Sequence, residues 1–131
     1  MMDKQLLFTK EHEWIKVDGN TATIGITDYA QSELGDIIFV ELPDKDETFE
    51  SNDVFGTIEA VKTVADLFMP VSSKIVEVNS NIEDSPELIN TSPQDEGWIV
   101  KISINDIADL DDLLSIDDYK KMINKWAIIL Q

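Results

Sequence analysis

A chain of 131 residues with 43% hydrophobic content is long enough for one domain with a buried core, and too apolar to be a disordered acidic tail. Its 27 Asp and Glu against 10 basic residues, all Lys, give a net charge of −17. That balance excludes the clustered cations that nucleic acid or an anionic membrane surface requires. With no cysteine and one histidine, the chain has no disulfide, no thiolate chemistry and no multi-histidine metal site.

The opening residues, Met1 to Trp14, contain no apolar signal-like core, and no run reaches membrane-spanning length, so the chain is expected in the cytoplasm. The N-terminal half reads as short strands with tight connections. Thr21 to Thr27 is a β-branched run after the turn residues Asp18-Gly19-Asn20. Asp28 to Gln31 then looks like a capping-box start, with Gly35 placed to stop a short helix. Asp36 to Leu42 is uniformly apolar enough to predict a core strand. The acidic stretch from Pro43 to Asp53 predicts a loop anchored by Phe49.

Strand signals resume at Val54 to Ile58, from Thr63 to Met69 and from Lys74 to Val78, where Asn79 to Asn81 breaks the pattern. Pro86 and Pro93 punctuate a loop before the last strand, Gly97 to Ile104. Val40-Glu41-Leu42 and Val76-Glu77-Val78 form a faint echo consistent with two similar halves. After Ser115 the period changes: Ile116, Tyr119, Ile123, Trp126 and Leu130 predict an amphipathic C-terminal helix packed back on the domain.

Candidate chemistry is sparse. No nucleophile elbow is present, and His12 lies between Glu11 and Glu13, whose charges would favour its protonated form. The acidic cluster Asp106 to Asp112 lacks the spaced ligands and turn glycine of a calcium loop and reads as a solvated face. The anomalous stretch is Val54 to Val71, where Glu59, Lys62 and Asp66 are the only charges in a chain that is 28% charged. A lysine isolated between strand-like flanks reads either as a displayed group or as a snorkelling surface side chain.

Glu59-Ala60-Val61-Lys62-Thr63 closely resembles the Glu-Ser-Val-Lys-Ala signature of the lipoyl-bearing loop in glycine cleavage H proteins. Further segments resemble that family in the same order: Thr9 to Trp14, Ile24 to Asp28, Leu34 to Asp36, Phe39 to Pro43, Phe55-Gly56, Val76 to Asn79, Asp84 to Asn90 and Glu96 to Trp98. The resemblance spans roughly residues 6 to 126. It implies a mainly β barrel-sandwich hybrid with a short internal helix and a C-terminal helix. It implies one carrier domain over residues 1–131, with core strands about 6–104 and the helix about 115–130. Lys62 would stand at a hairpin tip and carry lipoic acid as an N6-lipoyl amide, added by a lipoate ligase or a lipoyl or octanoyl transferase.

The implied role is that of a carrier and not a catalyst. Such a protein shuttles the methylamine group of glycine from a pyridoxal-phosphate glycine decarboxylase to an aminomethyltransferase, and dihydrolipoyl dehydrogenase reoxidises it. The cofactor then supplies the sulfur chemistry that a cysteine-free chain cannot. By the same resemblance Glu13 and Asp66 would contact the loaded arm in a cleft, and Glu59 would help the lipoylating enzyme recognise the hairpin. Read without the resemblance, Glu13 and Asp66 are ordinary surface carboxylates. A monomer is expected, since no coiled-coil pattern or long apolar surface stands out.

Departures from the family pattern are small: Ala60 for Ser, Thr63 for Ala, and Ser73-Lys74 for Gly-Glu. If that glycine served a positive-φ turn, Ser73 would fit it poorly. A biotin carrier fits less well, because methionines usually flank its lysine. A lipoyl domain of a 2-oxoacid dehydrogenase lacks the His-Glu-Trp segment and the C-terminal helix. A lipoyl relay that donates its group to other acceptors stays open as an alternative.

Overall fold

The computed structural model describes residues 5–129, with side chains through Asn124. Nine strands form two antiparallel sheets among the described residues. They are β1 (Gln5–Phe8), β2 (Glu13–Asp18), β3 (Thr21–Ile26), β4 (Ile37–Glu41), β5 (Thr48–Phe49), β6 (Val54–Ala60), β7 (Val64–Phe68), β8 (Ser73–Val78) and β9 (Val100–Ile104). The larger sheet runs β1-β2-β3-β9-β8-β5, and the smaller runs β4-β6-β7. The echoed segments Val40–Leu42 and Val76–Val78 begin on β4 and β8, one in each sheet.

The sheets meet over one apolar core. Ile15, Ile24, Ile58, Val71, Ile75, Ile99 and Ile102 are buried there, with Phe49 packed at its margin as the loop anchor. β2 contributes by alternation and so does β9, whose residues read buried, intermediate, buried, intermediate, buried. Trp14 lies across Gly25, its register partner, so closely that a Cβ there would sit 2.5 Å from the indole. Its Nε1 donates to Pro93 O at 2.9 Å, tying the first hairpin to the proline-punctuated region.

Four local readings are corrected. The strand from Asp36 to Leu42 is not uniformly buried: Ile37 and Val40 face the core, while Ile38 and Phe39 are each 53% exposed. A register shift between Ile37 and Phe39 turns these two outward. Helix α1 (Asp28–Leu34) is capped one residue earlier than expected, by Thr27, whose hydroxyl accepts from Ala30 N at 3.2 Å. Gly35, at φ 79°, does end the helix. The proline region is no plain loop: α2 (Asn81–Asp84) and α3 (Leu88–Thr91) each bury one isoleucine, Ile82 and Ile89, a signal too short to show helical period.

The fourth correction concerns Ser73. It opens β8 in register with Ile104 and has no positive φ, so the serine meets no backbone strain. Its hydroxyl is buried without a hydrogen-bond partner.

The acidic run Ile107–Asp112 forms a 3-10 turn capped by Asp106. It is largely exposed as expected, though Leu110 packs on the core and Asp109 accepts from Ser72 N. Helix α4 (Ile116–Ile129) follows Ser115, whose Oγ accepts from Asp118 N at 3.2 Å. Tyr119 is buried and Ile123 packs beside it in a second cluster with Phe8 and Trp14, while Ile116 is exposed. The side chain of Trp126, and Leu130 altogether, lie outside the described residues.

Candidate functional site

β6 and β7 pair in antiparallel register as far as Glu59 and Val64, and Ala60 N donates to Thr63 O at 2.8 Å. Val61, Lys62 and Thr63 are therefore the connecting turn of a hairpin, and all three are exposed. Val61 N donates to Asp36 O at 3.1 Å, which braces the turn against the residue before β4. Neither ion pair among the described residues, Lys74 with Asp46 or Lys101 with Glu77, involves Lys62. The sequence gives no Asn-Gly signal here; the backbone bonds from Ala60 N and Val61 N hold the turn instead.

Beside β7 a cleft of about 350 Å³ is lined by β2, α1 and β7, with Glu13, Ile26, Tyr29, Leu34, Ala65 and Asp66 among its walls. Glu13 and Asp66, far apart in sequence, share this cleft. At the strand rise of about 3.3 Å per residue, Ala65 is roughly 10 Å along β7 from Lys62, within reach of an extended substituent on its amine.

Glu13 is not an ordinary surface carboxylate. It is 2% exposed, and burial raises its pKa to about 8, against two donors that favour the charged form. Phe68 N donates to Oε2 at 2.7 Å, and Thr9 Oγ1 donates to Oε1 at 3.1 Å. Asp66 is exposed on the outer face of β7 and stands at the lip of the cleft.

His12 also lines the cleft, and here the expected charge is corrected. Burial lowers its pKa, outweighing the carboxylates of Glu11 and Glu33. Its backbone is left-handed, φ 68°, and its Nδ1 lies 2.8 Å from Tyr119 Oη. Tyr119 Oη is in turn 2.7 Å from Thr27 Oγ1, the α1 cap. Tyr29, tilted against the imidazole at 4.9 Å, completes this wall. None of Tyr29, Thr27 and Tyr119 was legible as a site residue, because only the fold joins α4 to the first helix.

The chain matches the sequence model for "Glycine cleavage H-protein" over residues 6–126. It is 57% identical over 121 residues to the glycine cleavage system H protein of Staphylococcus haemolyticus, covering 92% of this chain and 96% of that protein. The Staphylococcus carnosus protein of the same name is 55% identical over 122 residues, covering 93% and 97%. A crystal structure of the glycine cleavage system H protein from Mycobacterium marinum superposes with a TM-score of 0.84 at 33% identity, covering 94% of this chain and 99% of that one. On sequence and fold together, the chain belongs to the glycine cleavage H-protein family.

Proposed function

We propose that this chain is the lipoyl carrier of a glycine cleavage system, with lipoic acid attached as an amide to Lys62. The observation that carries this reading is the isolated, exposed Lys62 in a three-residue hairpin turn, with a carboxylate-lined cleft alongside. The residues suit the group: the amine stands clear of ion pairs among the described residues, and the cleft walls are largely apolar. When bound, the lipoyl group supplies a reducible disulfide that takes up the methylamine unit of glycine.

The chain's own part is display and shelter. The hairpin holds the amine away from the protein bulk, for a modifying enzyme before amidation and for partner active sites afterwards. Tethering also raises the local concentration at a docked partner. Those partners are a glycine decarboxylase, an aminomethyltransferase and dihydrolipoyl dehydrogenase, and the chain catalyses none of their steps. In the cleft, Glu13 holds a proton at neutral pH; a cationic amine drawn in beside it favours the carboxylate and expels that proton. Asp66 adds a second negative group at the entrance.

Incubation with lipoate ligase, lipoate and ATP, followed by intact mass and peptide mapping, tests the assignment. One lipoyl group on Lys62, absent from Lys62→Arg, is the expected result, and net charge moves from −17 to −18 as the ammonium becomes an amide. Modification scattered over other lysines, or none, removes the reading.

A further inference from the structure

Helix α1 forms one wall of the cleft through Tyr29, Ala30, Glu33 and Leu34, yet it has only seven residues and none of them is buried. A helix that short is not stable by itself, so contacts at its ends must hold it. Asn90 holds the C-terminal end, its amide donating to Gln31 Oε1 and to Gly35 O. At the N-terminal end Thr27 N donates to His12 O at 2.9 Å. The Thr27 hydroxyl accepts from Ala30 N and also meets Tyr119 Oη at 2.7 Å. That same phenolic oxygen lies 2.8 Å from Nδ1 of His12, which lines the cleft from the connection between β1 and β2. Tyr119 does not line the cleft itself; it stands behind two adjoining parts of the wall. Its place on α4 is fixed without the hydroxyl, since the ring stacks on Phe8 at 4.8 Å and Phe8 and Leu114 exchange both backbone bonds. One buried oxygen that joins residues 92 and 107 positions away does more than dock a helix.

We propose that Tyr119 is a positioning residue of the cleft: its hydroxyl holds the α1 cap and the His12 ring together, so that the docked C-terminal helix sets how long the cleft shelters a loaded arm. The proposal rests on the carrier reading and adds a control on the same cleft. Geometry separates this role from general stability. Without the oxygen, the stack on Phe8 and the bond from Thr27 N to His12 O both remain, so the chain stays folded. What goes is the link that fixes the Thr27 hydroxyl and the orientation of the imidazole. Helix α1 then opens more often by local fraying, while the sheets keep their own stability.

The experiment compares wild type with Tyr119→Phe, Thr27→Val and Thr27→Ser. The control is Ile102→Val, which trims a buried side chain on β9 outside the cleft lining. In the unmodified protein, the amides of Ala30 and Gln31 bond to Thr27. Their hydrogen exchange should quicken about fivefold in Tyr119→Phe, the factor that one hydrogen bond of ordinary strength sets, while the amides of β9 keep their rates. Each protein is next lipoylated at Lys62, reduced, and loaded from formaldehyde and ammonia, which join one thiol with loss of one water. Release of ammonia from the isolated protein is then followed, with Lys62→Arg protein treated alike as the background. It should be about fivefold faster in Tyr119→Phe and at least as fast in Thr27→Val. Thr27→Ser keeps the hydroxyl and should match wild type. Tyr119→Phe should add less in a Thr27→Val background than alone, because the two changes remove one shared bond. Ile102→Val should lower the melting temperature and leave both rates alone. Wild-type rates in Tyr119→Phe, equal acceleration in Ile102→Val, or full additivity of the two changes each overturns the proposal. So does loaded wild type that loses ammonia as fast as dihydrolipoamide loaded in the same way. A wild-type chain that gains no lipoyl group overturns the carrier reading and this proposal with it, and the mass spectrum shows that result before any loading.

Discussion

Replacing Glu13 with Gln should change how stability depends on pH. The carboxyl is buried, and that burial raises its pKa from the ordinary 4.5 to about 8. A group whose folded pKa lies above its unfolded value adds full stability below the unfolded pKa and loses it as pH rises through the folded one. The folded protein therefore binds the extra proton across roughly pH 4.5 to 8, and stability should fall with pH over that window. At about 1.4 kcal/mol per pH unit, the loss between pH 5 and pH 8 comes to about 3.5 kcal/mol. Glu13→Gln cannot ionise and should lose none of it. Its amide oxygen can keep the bond from Phe68 N. The Thr9 hydroxyl, which already accepts from Glu11 N and Glu13 N, loses its own acceptor. That loss is an offset of about 1 kcal/mol at every pH. Urea unfolding followed by tryptophan fluorescence at pH 5 to 8 gives both curves. The repulsion among the other carboxylates is common to both proteins and cancels in the difference. Parallel curves would refute the reasoning and mean that Thr9 and Phe68 hold Glu13 as a carboxylate in the folded state.

Three further substitutions test the packing around the site. Ser73→Ala removes a buried hydroxyl that has no partner and should stabilise the protein by about 1 kcal/mol in urea unfolding. Asn90→Ala should cost about 2 to 3 kcal/mol by the same measurement, since its amide accepts from Ile37 N and donates to Gly35 O and Gln31 Oε1, joining α1 to β4. Gly25→Ala drives a Cβ into the Trp14 ring and should lower the melting temperature by several degrees.

The sheet content was readable because β-branched runs and alternation survive in short stretches such as Thr21–Ile26 and Val100–Ile104. The one-turn helices α2 and α3 were not, since four residues hold too little period to show. The outward turn of Ile38 and Phe39 was also hidden: a bulge reverses the facing of a strand without changing its composition. At the site, Lys62 stood out by contrast with its uncharged neighbours. The environment of Glu13 did not, because nothing in Glu11-His12-Glu13 reveals that the first residue is exposed, the second half-buried and the third buried. The same folding sets His12 against Tyr119, 107 residues away, and its burial disfavours the protonated form that its neighbours suggested.

That contact carries a direction. Thr27 Oγ1 accepts from Ala30 N and still has its own proton to give to Tyr119 Oη, which defines one of two directions for the chain. The tyrosine proton then goes to His12 Nδ1, which must be unprotonated to accept it. In that direction the imidazole is neutral with its proton on Nε2, in line with the burial that outweighs Glu11 and Glu33. Tyr119→Phe keeps the stack on Phe8 but removes the donor. The neutral form then loses a bond of about 1 kcal/mol, so the His12 pKa should rise by about 0.7 of a pH unit. Titration by heteronuclear NMR reads both the pKa and the tautomer, and His12 is the only histidine in the sequence. A fall in pKa in the variant, or an Nδ1-protonated ring in wild type, would show that the imidazole donates to the tyrosine instead. The stability consequence is opposite in sign to that of Glu13. A histidine with a depressed folded pKa destabilises the fold as pH drops below its unfolded value, whereas Glu13 destabilises it as pH rises. The two groups line one cleft and both favour their neutral forms at pH 7, so its negative charge there comes from Glu11, Glu33 and Asp66.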